Sequence, residues 1–435
     1  MSRNPTIRFM VWRNFAPMHS KSVKSQPSIN HLRVYLSMGV KANSVKTFIS
    51  HLLSILVQAK RSVLMARVIL ALVVFGVTAC AERLASPAQD SAASATEILT
   101  NATAITNVTV IDAVNGVRKN QTVVFDGDNI VSVQTAGPPA NTARRIDGTG
   151  RYLIPGLWDF HVHLTYDERL TAVMPQLFLS YGITSVRDTG GEFYYLDSIR
   201  QNALSNPKTH PRVKIAGPLI DGNFNVYNGS VLPELSIRTR NVSESIAETE
   251  KLVAKGVDFL KAYEMLSPEQ FEAIAAIAER ENLRLAGHVP LSMEITHATS
   301  LGLNSLEHIK NLELEAVKNS DSMLMERRKM LENKSKLSGR LLRGKIHQSQ
   351  KQFAVDHIAA DAYLKILDTI KKYESFQVPT LSIYKVPIYK IFRQPFWRKS
   401  FKLLPKSTME QWEKDADGSN DIINPAQKKF SDWIQ

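Results

Sequence analysis

Hydrophobic and polar positions change period near residue 153, and the change divides the chain. Before it, Ile105-Thr106-Asn107-Val108-Thr109-Val110-Ile111, Gln121-Thr122-Val123-Val124-Phe125 and Asn129-Ile130-Val131-Ser132-Val133 are short runs with a period near two. Asn115-Gly116 and Asp126-Gly127-Asp128 separate them, so residues 101–150 are expected to form a small β unit with tight turns. After residue 153, apolar runs alternate with helical stretches, which is the pattern of a parallel sheet with crossovers. Strands are expected at 153–163, 183–188, 212–217, 257–263, 283–288, 303–308 and 377–383, seven in all. The helix after the fourth is the clearest. Ser267 and Gln270 form a capping box, Pro268 sits in the first turn, and Phe271, Ile274, Ala275 and Ala278 make one apolar stripe that stops near Asn282. Residues 310–376 read as a charged, helix-rich insertion containing Arg327-Arg328-Lys329, expected to be a solvated face or a lid.

The chain has 435 residues, 44% of them hydrophobic, enough for one large domain or two to three smaller ones. Its net charge of +13 suggests nucleic acid until the charge is located. Of the 54 Lys and Arg, 11 fall in residues 1–80, which hold no Asp or Glu, leaving 43 against 41 acidic residues beyond. A nucleic-acid partner is therefore excluded as the reason for the basic balance. The charge belongs to a leader. Arg67 precedes an apolar run, Val68 to Gly76, and then Val77-Thr78-Ala79-Cys80, which holds the only Cys. This resembles a bacterial lipoprotein signal over 65–80, implying lipidation at Cys80 and a membrane lipid anchor. Glu82 points, by the same resemblance, to the outer membrane of the cell envelope, on the periplasmic side. Residues 1–64 read as an upstream extension or leader, and the Ala- and Ser-rich 81–100 as a flexible tether.

The chemistry gathers around Leu153-Ile154-Pro155-Gly156-Leu157-Trp158-Asp159-Phe160-His161-Val162-His163-Leu164, expected to be a buried strand entered through a Pro-Gly turn. Strand alternation puts Asp159, His161 and His163 on one side and Phe160, Val162 and Leu164 on the other. Two imidazoles then share a face, as a pair of metal ligands would. In Val257-Asp258-Phe259-Leu260-Lys261-Ala262-Tyr263, alternation drives Lys261 toward an apolar interior, where an ammonium must lose its charge or find a partner. Glu264 is a fallback ligand that alternation sends to the opposite face. His288 and His308 close the fifth and sixth strands. Arg284 shares a face with His288, so either it is paired or that strand starts later.

Pro155-Gly156-Leu157-Trp158-Asp159-Phe160-His161-Val162-His163 resembles the opening metal motif of the amidohydrolase superfamily, metal-dependent hydrolases on a (β/α)8 TIM-type barrel. Lys261, Gly287-His288-Val289-Pro290 and Glu307-His308 look most like its prolidase and imidazolonepropionase-like branch. The resemblance implies an α/β barrel over 151–435 beside part of a β-sandwich over 101–150. It implies one or two divalent ions, zinc by preference, held by His161, His163, His288 and His308, with Lys261 carbamylated between them. The implied reaction is hydrolysis of C–N bonds in dipeptides, N-acyl amino acids or cyclic amides by metal-activated water, with Tyr263 steadying the oxyanion. The family's strand-eight Asp has no counterpart among Asp415, Asp417, Asp421 and Asp432, so the barrel is expected to be truncated after strand seven. Glu264 or Asp188 could then serve as base. The alternatives are a silent barrel lipoprotein that binds without turnover, or an inactive fragment.

Overall fold

The computed structural model describes residues 102–135, 142–230, 232–308, 310–384, 401–418 and 425–434, with the single positions 395 and 398. The expected leader, signal, Cys80 and tether lie outside the described residues. Contacts divide the chain into two units between Leu153 and Ile154.

In the first unit, β1 (Thr103–Asp112) lies at the centre of one five-stranded sheet. It pairs antiparallel with β2 (Gly116–Asp126) and parallel with β4 (Arg144–Asp147) and β5 (Tyr152–Leu153). The strand β3 (Asn129–Thr135) pairs antiparallel with β2. The β1 to β2 turn closes because Gly116 takes a φ of 67° and the Asp112 carboxylate accepts the backbone N–H groups of Val114 and Asn115. Ile105, Val108, Val110 and Val123 pack on one face with Phe125, Ile146 and Leu153. Among the described residues these strands make a single sheet, without the second layer of a sandwich.

The second unit is built on parallel strands in sequence order. First come β6 (Leu157–Val162), β7 (Ile183–Asp188) and β8 (Arg212–Ile215), paired in that order. Next, β9 (Leu219–Asp221) continues the third strand and pairs with β10 (Ser236–Arg238) and with β11 (Leu260–Ala262). Then β12 (Leu285–Gly287), β13 (Leu303–Glu307) and β14 (Phe376–Val378) follow. Asp258 N–H donates to Ile215 O at 2.9 Å and bridges the two sheets. Each of the seven expected strands is present: β7 keeps its expected bounds, β14 begins one residue early and ends five early, and the others are shortened; β10 is an addition. Among the described residues no pairing joins β14 back to β6, so strand closure is not part of this structure.

Helices fill the crossovers: α1 (Glu168–Thr171) with α2 (Met174–Ser180), α3 (Phe193–Ser205), α4 (Val242–Ala254), α5 (Pro268–Arg280) and α6 (Ile295–Ser300). The capping box of α5 forms as expected, its apolar stripe is buried, and Asn282 ends it in the left-handed region at φ 54°. Leu285, Leu303, Ile215, Ile220 and Leu260 form the core between strands and helices, each wholly buried.

Two expectations need correction. The stretch around β6 is not a fully buried strand: Leu157, Trp158 and Phe160 are 44%, 43% and 48% exposed. Among the described residues β6 pairs only with β7, which leaves it an edge strand, and Arg187 is 5.6 Å from the centroid of the half-exposed Phe160 ring. Nor is the insertion solvated throughout. Of its helices α7 (Leu312–Glu315), α8 (Ser320–Leu331), α9 (Gly339–Asp356) and α10 (Ala360–Lys372), the first three bury polar side chains, and α10 buries Ile366 and Ile370. Arg327, read as part of a surface charge run, is buried; its Nε donates to Leu291 O and its Nη1 to Gln350 Oε1, each at 3.0 Å.

Candidate metal centre

The right-handed twist between neighbouring strands curls the parallel set until side chains of its first and sixth members meet. His161 and His163 come from β6 and its end, Lys261 from β11, and His288 and His308 from the residues just past β12 and β13. Gly287 is required before His288, since a Cβ there would stand 2.7 Å from Ala262 O. His308 holds a φ of 67°, a strained conformation for a side chain of its size, and its N–H donates to Val378 O at 2.9 Å. The four histidines form a chain of adjoining rings: centroids are 5.3 Å apart for His161 and His163, 4.2 Å for His161 and His308, and 5.0 Å for His288 and His308.

Each ring has its Nδ1 engaged. His161 Nδ1 lies 2.5 Å from Glu307 Oε2, His163 Nδ1 2.8 Å from Gly190 O, and His288 Nδ1 2.5 Å from Glu264 Oε1. His308 Nδ1 lies 2.5 Å from Thr380 Oγ1, whose own hydrogen goes to Pro379 O at 2.8 Å, so the hydroxyl accepts from the histidine. These four acceptors fix the proton on Nδ1 and leave each Nε2 with a lone pair. Burial keeps the rings neutral. It pushes His161 down to about 4 and His163 to about 3, while His288 and His308 fall well below the usual histidine range for the same cause. The contacts of His161 with Glu307 and of His288 with Glu264 are therefore imidazole N–H groups donating to carboxylates, and not ion pairs.

Lys261 is 1% exposed, and its Nζ has no hydrogen-bond partner. Burial lowers it to about 8, against the pull of Glu307 and Glu264 and with Arg187 adding to the fall. Burial alone would raise Glu307, but Lys261, His161 and Arg187 hold it down to about 2. Arg187 Nη2 donates to Glu307 Oε1 at 2.5 Å, and Ser305 Oγ donates to the same oxygen at 2.9 Å.

Glu264 is where alternation misled. β11 ends at Ala262, and past that end the chain no longer alternates, so Glu264 turns in and is wholly buried. Its Oε2 accepts from Arg343 Nε at 3.0 Å and His347 Nε2 at 3.2 Å, and Lys310 Nζ stands 3.8 Å from Oε1. Burial opposes its charge, yet Arg343 and Lys310 hold it well below the usual carboxylate range. Tyr263 is buried with its ring 4.4 Å from that of His288, and burial raises its hydroxyl well above the usual value, so it keeps its proton. Asp188 is buried too, with Oδ1 and Oδ2 accepting from Gly190 and Leu164 N–H groups at 2.9 and 2.6 Å. Arg284 lies before β12, which begins at Leu285, so no charge enters the interior from it. An open cavity of about 900 Å³ is lined by Thr165, Tyr166, Arg169, Glu192 and Glu234 among others.

Gly190 and Thr380 were not singled out from the sequence, and Glu307 entered only as the context of His308, without a role of its own. Among the described residues no three His, Cys, Asp or Glu side chains converge as one ion requires. The nearest approach to a centre is four histidines in a row with Lys261 beside them.

No family model matches the chain, and no curated protein matches it. Among solved structures it is similar to a Xaa-Pro dipeptidase with bound methionine in the active site, at 17% identity and TM-score 0.47, over 76% of this chain and 77% of that one. Similarity to a bottromycin amidohydrolase runs at 18% identity and TM-score 0.48, over 80% and 67% of the two chains. An A. niger ochratoxinase is similar at 16% identity and TM-score 0.45, over 76% and 74%.

Proposed function

We propose that the chain is a metal-dependent hydrolase of carbon–nitrogen bonds. In this reading His161 and His163 would hold one divalent ion and His288 and His308 a second, and Lys261, as a carbamate, would add oxygen ligands. One observation carries it: all four Nδ1 atoms are engaged, the Nε2 atoms of His161, His288 and His308 have no hydrogen-bond partner among the described residues and that of His163 has only a long 3.4 Å contact with Thr189 Oγ1, and the buried Lys261 Nζ has no partner. A structural histidine in a core uses both nitrogens or turns one to water, and a structural lysine does not leave its ammonium orphaned. The donor set is right for zinc, which takes imidazole nitrogen and carboxylate-like oxygen. A carbamate on Lys261 supplies that oxygen and brings the number of ligands beyond the two that each histidine pair offers.

An ion held there supplies a Lewis acid and acidifies water. The remaining work falls to the protein. Glu307 and Glu264 hold His161 and His288 in one tautomer and orientation, and Gly190 O and Thr380 do the same for His163 and His308. A lysine lowered to about 8 has a substantial free-amine fraction in mildly alkaline solution. That amine would add to dissolved CO2: its lone pair would form the N–C bond, one C=O π bond would break with its electron pair going to oxygen, and one N–H proton would pass to solvent. Tyr263 keeps its hydroxyl hydrogen and can donate to negative charge developing beside His288. Burial raises Asp188 to about 7, and each of its oxygens accepts a single N–H, so Asp188 remains the candidate base, while Glu264, held well below the usual carboxylate range by Arg343 and Lys310, positions His288. We further propose, from the sequence around Cys80, that the protein is tethered to the cell envelope by a lipid; Cys80→Ser should abolish incorporation of a labelled acyl chain.

The test is zinc content and carbamate formation in the full chain, beside His161→Ala and His288→Ala. Zinc binding in the parent protein, weakened in both variants, is expected, with a ¹³C carbamate resonance from labelled bicarbonate that Lys261→Met removes. Equal zinc in all three proteins would leave the histidines structural and end the proposal.

A further inference from the structure

Helix α9 presents Arg343, His347 and Lys351 at i, i+4 and i+8, one face of the helix, toward two buried carboxylates, Glu264 and Glu313. Lys351 is matched by Glu313, 3.5 Å away. Arg343 and Lys310 both face Glu264; Arg343 supplies its counter-charge, and burial brings Lys310 down to about 7, so it is only part-charged there at neutral pH. Neither cation is fully used. Arg343 bonds Glu264 through Nε, and among the described residues its Nη1 and Nη2 make no hydrogen bond; Lys310 Nζ makes none either, standing 3.8 Å from the carboxylate. Their side chains are 19% and 17% exposed, so a solute can reach them. Glu264 ties both directly to His288, and hence to the histidine row.

We propose that Arg343 and Lys310 form the subsite for a carboxylate on the substrate. A guanidinium with both terminal nitrogens free is shaped to take a carboxylate in a two-point hydrogen bond, and a lysine beside it adds a point charge. Resting on the hydrolase reading above, this narrows the substrate to an N-acylated amino acid or a peptide with a free C-terminus, and excludes neutral cyclic amides. Glu264 then has two roles, holding the His288 ring and aiming Arg343, which fixes the distance between the substrate's carboxylate and the scissile bond. The insertion is thus the specificity element of the site.

The experiment compares binding of N-benzoyl-L-leucine and the neutral N-benzoyl-L-leucinamide to the zinc-treated full chain by calorimetry. Hydrogen bonds to a charged group contribute about 1.5–3 kcal/mol, a factor of roughly 10 to 150, so the acid should bind at least about tenfold more tightly. Arg343→Gln should bring the two affinities to within about threefold, and Arg343→Lys should restore part of the preference. Lys345→Gln, on the outer face of the same helix, should leave it unchanged. The ratio is independent of the fraction of folded protein, so partial misfolding of a variant does not obscure it. Equal affinities in the parent, no binding of either compound, or an unchanged ratio in Arg343→Gln would overturn the subsite. Preference for the acid without hydrolysis of any N-acyl amino acid would leave the subsite standing and remove the hydrolase reading.

Discussion

An ammonium enclosed without a hydrogen-bond partner is a cost that no structural role requires, and Lys261 is such a group. Replacing it by Met keeps the volume and removes the charge. We expect Lys261→Met to stabilise the metal-free protein by about 1–3 kcal/mol and to abolish zinc-dependent hydrolysis, a combination read by chemical denaturation and a turnover assay. Destabilisation instead would mean that Lys261 is held by partners other than those described. Glu307 gives the opposite case. Its folded value near 2 lies below its ordinary 4.5, so between those limits the unfolded chain binds more protons, and stability falls as pH falls. The contribution is complete above about pH 4.5, is on the order of 3 kcal/mol, and is gone below about pH 2. Glu307→Gln should flatten the acid limb of stability against pH in metal-free protein; a limb of unchanged slope would refute it. At this scale the sequence was partly legible. The four histidines and Lys261 could be found because strand alternation and strand ends locate them. Their supporting groups meet them only in space, 146 residues apart for His161 and Glu307, and Glu264 was sent to the wrong face by an alternation that stops at Ala262.

Helix α9 shows what an element must do to contribute to a site formed by others. It starts where Gly339 passes the loop at Phe224 and Asn225, and a Cβ on Gly339 would stand 1.9 Å from Phe224 O. The obstacle is backbone, which cannot rotate away as a side chain does. Gly339→Ala should therefore cost about 1–3 kcal/mol through overpacking, measured by urea denaturation, and should weaken the hold of Arg343 on Glu264, which lies one turn further on. A variant as stable as the parent would show that the helix start can shift without loss. The strands were legible because each apolar run is bounded by turn residues, and only their ends moved. The helical insertion was not. Its composition is that of a solvated surface, and nothing in a local window separates Arg327, buried against Leu291 O, from its exposed neighbour Lys329.

Across the second unit, the groups proposed to hold metal come from the first, fourth, fifth and sixth strands, from His161 to His308. An ion bound by them joins parts of the sheet that are far apart in sequence and only loosely tied at the ends, since no pairing among the described residues closes β14 onto β6. Metal that binds only the folded arrangement stabilises it by mass action, about 2.7 kcal/mol at a free concentration one hundred times Kd. For a unit of this size that corresponds to roughly 5–10 °C in Tm. The effect should be cooperative in the ligands, because a shell that loses one of its few protein bonds loses affinity steeply. Thermal melts of the full chain with zinc, with a chelator, and with His161→Ala or His288→Ala therefore form one experiment. The parent should melt higher with zinc than with chelator, and both variants should melt alike under the two conditions. If zinc raises all three proteins equally, it is binding elsewhere, and the row of histidines is a hydrogen-bonded core and no metal centre.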